Sequence, residues 1–531
     1  VTRVVRLAPL IVAAIVLAVG LWTLSPLPTG VFEDDGMYVI LGKALAQGNG
    51  LRFVNLPGAP ANAHYPPGYP ALLALLWLLA PGFPGNVAVF KAANVVLLAV
   101  AAALGWRLAT ERFELRPALA AAAVLAGTVT IPPLLLAGMT LSETLFLALL
   151  LTVLLAAEGA ADRPTPRRAV VLGVLIGALT LVRTLGIALL PAAALAVGRR
   201  RAWREAGLLV LAAVLVLAPW QAWAAAHADA VSLDLRGKYG AYLPWLLVGV
   251  REHGLPFVWA TARANGEQLA TALRVMLAPG LPAAVKTVLA CITAGVLLVG
   301  LVTLRRLVPV TLGFLVLYFA IVIAWPFAPL RFLWGVWLVL VLVFSAGAAA
   351  LVRQVTREGA SRAARYAVIA TVLLVVAGHG LYNWRGYRGA WWGSIARQRA
   401  AAAAPLLSWV LERTDPRDVV AADAETLLYL YSGRQVIPVG DFRAEEHLVP
   451  TTEAHLTLVL GRLLRHYPVD WLLASRPELV RAAESLAAAG VVELEAADRL
   501  AEGGVAYRVR RPALARPPQR GVRTDSLRGA R

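Results

Sequence analysis

Apolar residues in this chain come in long runs, and the breaks between the runs carry most of its charge. Runs at Leu7 to Leu24, Val87 to Trp106, Leu119 to Leu136, Leu145 to Ala157, Val170 to Leu181, Leu185 to Val197, Leu208 to Trp223, Val285 to Leu304, Val308 to Trp325, Phe332 to Val352 and Tyr366 to Leu381 predict spanning helices. That makes about 11 crossings, the shorter ones needing flanking residues to reach the roughly 17 to 25 that a bilayer demands. Tyr69 to Ala80 is also apolar, but at about 12 residues between prolines it predicts an interfacial or re-entrant helix. The stretch from about Ala226 to Pro282 predicts a long loop at headgroup level, because Tyr239, Tyr242, Trp245, Phe257 and Trp259 interrupt its polar positions.

Beyond Trp384 the pattern changes. Apolar runs shorten and acids reappear, and period-2 and period-3.6 stretches alternate. Strands are expected at Val419 to Ala422, Leu427 to Tyr431, Gln435 to Val439, Trp471 to Ala474, Val491 to Leu494 and Val505 to Val509. Helices are expected at Ala400 to Arg413, Glu453 to His466 and Pro477 to Ala489. The fold class is therefore a polytopic α-helical membrane protein over 1–390, with an outer loop at 25–86, and a C-terminal soluble α/β domain over 391–511. Residues 512–531, rich in Pro, Arg and Gly, predict a disordered tail.

Charge orients this plan. The clusters Arg3/Arg6, Arg107/Arg112/Arg116, Arg163/Arg167/Arg168, Arg199/Arg200/Arg201/Arg204, Arg305/Arg306 and Arg353/Arg357/Arg362/Arg365 are separated by even numbers of spans if the Tyr69 stretch does not cross. All six then lie inside, which makes the N-terminus cytoplasmic and the C-terminal domain extracytoplasmic in a multi-pass cell-membrane protein. The N-terminal run looks like a signal peptide but has no clear cleavage site, so it is read as an uncleaved first span. Composition agrees: 59% hydrophobic, 15% charged and a mean hydropathy of +0.70 exclude an ordinary soluble domain. The net charge of +19 lies in these loop arginines and argues for membrane lipids as neighbours rather than nucleic acid. The single cysteine, Cys291, leaves neither a disulfide framework nor a Cys-based metal site.

Candidate chemistry starts at Glu33-Asp34-Asp35-Gly36, about ten residues past the first span by this count. These acids precede an amphipathic helix, Met37 to Ala46, where the helix dipole favours negative charge. A carboxylate held there suits a base that takes a proton from a hydroxyl. A plain polar loop is the competing reading for any one of them. Next come Asn62, His64 and Tyr65, leading into the stiff Pro66-Pro67-Gly68-Tyr69-Pro70. Arg183 sits between two apolar runs, where a charge at bilayer depth costs roughly 2.5 to 3.5 kcal/mol, so it either reaches the outer interface or faces a site. Gly-rich phosphate loops, HExxH and GxSxG are absent from the sequence.

The acidic pair after a first span, Tyr38, the Ala-Leu-Ala-Gln-Gly helix end and Tyr65-Pro66-Pro67-Gly68-Tyr69-Pro70 resemble the GT-C membrane glycosyltransferases. The branch resembled holds the protein O-mannosyltransferases and the lipid A aminoarabinose transferases. The resemblance implies an inverting enzyme that moves a sugar from a polyprenyl-phosphate donor to a hydroxyl acceptor outside the membrane. No cofactor is implied, and a divalent cation is compatible but not called for. The catalytic base falls on Asp34 if the pair is Asp34-Asp35, or on Glu33 in the alternative frame. Glu143 is similar to a site-shaping acid of the second outer loop, and Arg331, with Phe332 after it, to an arginine that holds the lipid phosphate. His64 and Arg52 are further candidates to meet that charge. Tyr65 stands where the aminoarabinose branch has lysine, and Trp334-Gly335 replaces its prolines, which point to a general member of the family. A transporter or flippase of lipid-linked sugars is the rival reading; it would favour midplane charges and repeated halves, which this sequence lacks.

Overall fold

The apolar runs fold as helices in the computed structural model, which describes residues 3–277, 280–356 and 361–510. The expected tail at 512–531 and Arg357 lie outside these residues. From the N-terminus come α1 (Arg3–Trp22), α2 (Asp34–Ala46), α3 (Gly68–Leu79), α4 (Val87–Glu111), α5 (Pro117–Thr128), α6 (Ile131–Ala137), α7 (Glu143–Asp162), α8 (Pro166–Val182), α9 (Leu189–Gly198) and α10 (Trp203–Ala226). They are followed by α11 (Arg236–Tyr239), α12 (Tyr242–Val275), α13 (Ala283–Leu304), α14 (Pro309–Ala324), α15 (Leu330–Gly335), α16 (Trp337–Thr356) and α17 (Arg362–Arg388). Among the described residues, six helices (α4, α7, α10, α13, α16 and α17) are long and apolar enough to cross a membrane, or seven spans if α5 and α6, bent by 57°, count as one. α1, α3, α14 and the segment containing α9 are shorter apolar helices.

Between lipid-embedded helices the hydrophobic effect offers little, so close backbone approach decides their packing. A Cβ on Gly300 of α13 would lie 2.1 Å from the Val343 carbonyl oxygen of α16, and one on Gly347 of α16 would lie 2.1 Å from that of Val296. Gly173 of α8 meets the Leu209 carbonyl of α10 in the same way, at 2.3 Å. At the N-terminus of α14, which Pro309 opens, Glu158 of α7 accepts from the Thr311 amide and hydroxyl, both at 2.7 Å. A carboxylate there satisfies donors the helix cannot pair itself. The α7–α8 hairpin sets the polarity of the bundle. Glu143 opens α7 and Arg183 ends α8, and the two side chains pair at 2.8 Å. Arg163 at the end of α7 and Arg167 and Arg168 in the first turn of α8 thus lie at the opposite end of the hairpin, about 20–30 Å away at 1.5 Å per residue.

The C-terminal portion comprises α18 (Ser394–Arg413), β1 (Val419–Ala421), α19 (Glu425–Ser432), β2 (Gln435–Ile437), α20 (Glu453–His466), β3 (Trp471–Ala474), α21 (Pro477–Ala488), β4 (Glu493–Arg499) and β5 (Val505–Arg510). Its sheet runs β2-β1-β3-β5-β4, with β1 parallel to both β2 and β3, and β5 antiparallel to β3 and β4. The free edge of β2 is covered by the loop between α2 and α3, whose Asn55 carbonyl accepts from Val436 N at 2.9 Å.

Four expectations change. Leu427 to Tyr431 is not a strand but the body of α19: Glu425 through Leu430 are all buried, which erases the 3.6-residue signal, and Gly433 closes the helix at φ 75°. The region 226–282 is not a loop, because most of it is α12, whose Gly254 breaks the helix at φ 68°. Phe332 to Val352 is two helices, α15 and α16, interrupted at Val336. Finally, α2 is not amphipathic: Asp35 through Gly42 are buried, packed between α3 and α19 in one hydrophobic cluster shared with the C-terminal sheet.

The glycine contacts give a stability test. Gly300→Val should lower stability by about 1–3 kcal/mol through overpacking, read as the unfolding midpoint in detergent. Gly295→Val on the same helix, where an added Cβ meets nothing within 4 Å, should leave the midpoint unchanged.

Candidate functional site

Asp34 is the first residue of α2, and the loop before it is wound so that the next acid stabilises the turn. Asp35 accepts from Gly30 N and Phe32 N, both at 2.8 Å, and from the Thr29 hydroxyl at 3.3 Å. Burial raises its pKa despite these amide bonds. Asp35 is therefore committed to the loop, and Asp34 faces the other way. One Asp34 oxygen accepts from the Tyr65 hydroxyl at 2.7 Å and the other from Arg331 Nη1.

Arg331 is the hub. Its Nε donates to Glu143, whose same oxygen meets Arg183 Nη1 at 2.8 Å. Arg183 also donates to the Ser142 hydroxyl at 3.2 Å and lies over the Phe332 ring at 5.7 Å. Tyr38 on α2 meets Ser142 at 3.1 Å and packs edge-on against Tyr65 and Tyr69. The site thus gathers α2, α7, the end of α8, α15 and the loop before α3. Glu143 is 2% exposed, and its second oxygen has no hydrogen-bond partner among the described residues. Beside it lies a narrow cleft whose lining includes Leu98, Leu136, Leu147, Leu338 and Trp334.

Electrostatics follow from this layout. Burial works to raise the Asp34 pKa, but Arg331 and the Tyr65 hydroxyl outweigh it and hold the carboxyl below its ordinary value. Burial lowers the His64 pKa to about 4, so the ring is neutral at pH 7 and supplies no positive charge. Its Nδ1 donates to the Gly240 carbonyl at 2.7 Å and its ring lies 3.8 Å from that of Tyr242. Tyr65 is held through its backbone: Asn62 Oδ1 accepts from Tyr65 N at 2.9 Å, and Asn62 Nδ2 donates to Tyr65 O at 2.7 Å.

The structure therefore brings Asp34, Tyr65, Glu143, Arg183 and Arg331 into one cluster with His64 behind it. Three candidates lie elsewhere, the first being Asp35, the expected second acid of the catalytic pair, which is held in its own loop. Arg52 is exposed and donates to the Ala59 carbonyl at 3.1 Å, inside its own loop. Glu33 points to Lys238 at 3.3 Å, away from Arg331. Sequence reasoning passed over Tyr38, Ser142 and Tyr242 as site members, and Lys238 altogether. Tyr38 and Ser142 sit beside residues already singled out and Tyr242 belongs to the aromatic series of its segment, whereas no local pattern marks Lys238. Among the described residues the one group of three potential metal ligands is Glu252, His253 and Glu445, of which the first two are exposed and the third half-buried, and it does not include the Asp34 cluster.

No protein-family model matches this sequence, and no curated protein does. Solved structures do. The chain is similar to ArnT from Cupriavidus metallidurans bound to undecaprenyl phosphate, at 14% identity and a TM-score of 0.52 over 97% of this chain and 100% of that one. ArnT from the same organism in the apo state matches at 14% identity and a TM-score of 0.50, covering 94% and 97% of the two chains. At this identity the likeness concerns architecture, and it extends over both the helical bundle and the C-terminal domain: the chain has the GT-C membrane fold.

Proposed function

We propose that this protein is an inverting glycosyltransferase that moves a sugar from a polyprenyl-phosphate donor to a hydroxyl acceptor at the outer face of the cell membrane. The observation that carries the reading is the Asp34–Arg331 pair: an ionised carboxylate at a helix start shares one part-buried cluster with two guanidiniums. That combination offers a base and a phosphate cradle within one side chain's reach of each other. The GT-C fold, and the undecaprenyl phosphate carried by the ArnT structure of that fold, support the choice of donor class.

In the proposed reaction Asp34 takes the proton of the acceptor hydroxyl as its oxygen attacks the anomeric carbon. The bond from that carbon to the phosphate oxygen breaks on the opposite face, with inversion, and the lipid phosphate leaves with the electron pair. Arg331, aided by Arg183, meets the growing charge; a planar fork pairs bidentately with phosphate oxygens. Arg331 pairs with both Asp34 and Glu143, so a bound phosphate would draw it from Asp34 and release the base. The unpaired Glu143 oxygen is available to a donor hydroxyl. The reading places the basic loops, including Arg163 to Arg168, inside and the Asp34 cluster with the C-terminal domain outside, for about 11 crossings.

The direct test uses purified full-length protein in nanodiscs with a panel of labelled undecaprenyl-phosphate sugars and a membrane glycolipid extract as acceptor. Asp34→Asn should lower transfer by a factor of about 1,000 or more while the protein still binds undecaprenyl phosphate, a far larger loss than Glu33→Gln should cause. Full turnover by Asp34→Asn would defeat the assignment of the base, and movement of unchanged label across vesicles would favour a flippase.

A second expectation concerns pH. The Tyr65 hydroxyl is one of the groups that lower the Asp34 pKa, and the base works in its ionised form, so activity should fall as pH drops through that pKa. Removing the hydroxyl raises the pKa. Tyr65→Phe should therefore move the acid limb of kcat/KM to higher pH, and a limb that stays in place would show that another group sets it.

A further inference from the structure

The Asp34 loop is gripped from the side opposite the arginines, and the grip comes from the C-terminal domain. Lys238 on α11 lies 3.3 Å from Glu33, the residue before Asp34, and 3.3 Å from Glu425, the first residue of α19. Glu425 is 2% exposed, so its charge has little water to answer it. The backbone contacts are equally close. The Thr426 hydroxyl donates to the Gly30 carbonyl at 3.0 Å, and Thr29 N donates to the Tyr431 hydroxyl at 3.2 Å. A Cβ on Gly36 would lie 2.6 Å from the Thr426 hydroxyl oxygen, and Gly30, at φ 89°, would place one 2.9 Å from Leu427 Cα. α11 is pressed against the same domain, for a Cβ on Gly237 would fall 1.7 Å from the Phe442 carbonyl oxygen.

Glu33 adds the reason a pin is needed. Its backbone stands at φ 66° and ψ −69°, a region a non-glycine residue occupies only when its surroundings hold it there, at about 1–3 kcal/mol. Its carbonyl also accepts the opening hydrogen bond of α2, from Met37 N at 2.8 Å. The conformation of Glu33 thus decides where α2 begins and where the Asp34 side chain emerges.

We infer that Lys238 is a positioning residue: by bridging Glu33 and Glu425 it fixes the strained start of α2 against α19, so that the C-terminal domain sets the aim of Asp34. This rests on the reading of Asp34 as the base. Lys238 is well suited to the task because, although burial opposes its charge, the two acids hold its pKa above the ordinary lysine value. The side chain needs only to stay charged and reach both partners, so arginine should replace it. The apolar isostere methionine should not, since it would leave two facing carboxylates without a cation.

The test has two readouts on full-length protein in nanodiscs. Hydrogen exchange of the amides from 29 to 36 should speed up about threefold or more in Lys238→Met and return toward wild type in Lys238→Arg. On whichever labelled undecaprenyl-phosphate sugar the wild type turns over, Lys238→Met should lower kcat about tenfold with KM changed less than about twofold, and Lys238→Arg should restore kcat. If Lys238→Met does not fold, Thr426→Val, which deletes the bond to Gly30, should speed exchange in the same segment. Unchanged exchange in the folded variants would overturn the inference. So would a loss confined to KM. If no sugar donor is turned over by wild type, the proposed activity fails while the exchange readout still decides whether Lys238 holds the loop.

Discussion

The Asp34 end of the molecule depends on keeping two arginines and two acids together largely out of water. Each buried ion forfeits several kcal/mol of hydration, and that loss is recovered only when charges are paired closely and in balance. Here the formal charges cancel, and one arginine does the joining: Arg331 reaches Asp34 with one nitrogen and Glu143 with another, and Arg183 closes on Glu143 from the far side. The four side chains come from α2, α7, the end of α8 and α15, so the cluster also fixes how these helices meet. Taking away Arg331 would leave Asp34 with only the Tyr65 hydroxyl, while Glu143 would keep Arg183.

The parts of this plan that could be read from the sequence are those with a local physical signature. The membrane helices announce themselves as apolar runs, and Glu33-Asp34-Asp35 as charge in an unlikely place. α19 and α12 do not. Leu427 to Tyr431 looks like a strand because its neighbours bury it on every side, and periodicity is informative only when one face is wet. α12 is interrupted by Gly254 and Pro256 and mixes aromatic with charged positions, so no single period dominates it. Lys238 is illegible for a different reason: its two partners lie about 200 residues away on either side, and nothing near it in the chain distinguishes it from a solvated lysine. The three consecutive acids also separate only in three dimensions, with Asp35 turned to its own loop, Glu33 to Lys238 and Asp34 to Arg331.

That separation gives the C-terminal domain a physical connection to the cluster. α2 does not sit on the bundle as an independent helix. Met37, Ile40 and Leu41 belong to the same hydrophobic cluster as Leu428, Val436 and Leu472 of the sheet domain. The loop after α2 also extends the sheet at the β2 edge, through the Asn55 carbonyl and Val436 N. The same cluster takes in Leu135 and Leu136 of α6, with Trp334 of α15 packed against it, so α2 joins the sheet domain to the helices that surround Arg331.

Charge balance connects the cluster to the proposed chemistry. A sugar phosphodiester would bring one negative charge to a cluster whose own formal charges cancel. In the proposed transfer Asp34 would take a proton and lose its charge, and the lipid phosphate would gain one as its bond to the sugar breaks, since a phosphate monoester carries about −1.5 to −2 near pH 7. The total is nearly constant, and negative charge moves from one ligand of Arg331 to another. An arginine that bridges the base and the leaving group need not change its own protonation, and it stays paired at each stage. Lysine, a point charge without the planar fork, would have to choose between them. The hub at Arg331 thus suits a reaction in which charge migrates across the site without building up, and the neutral His64 behind it leaves that balance undisturbed.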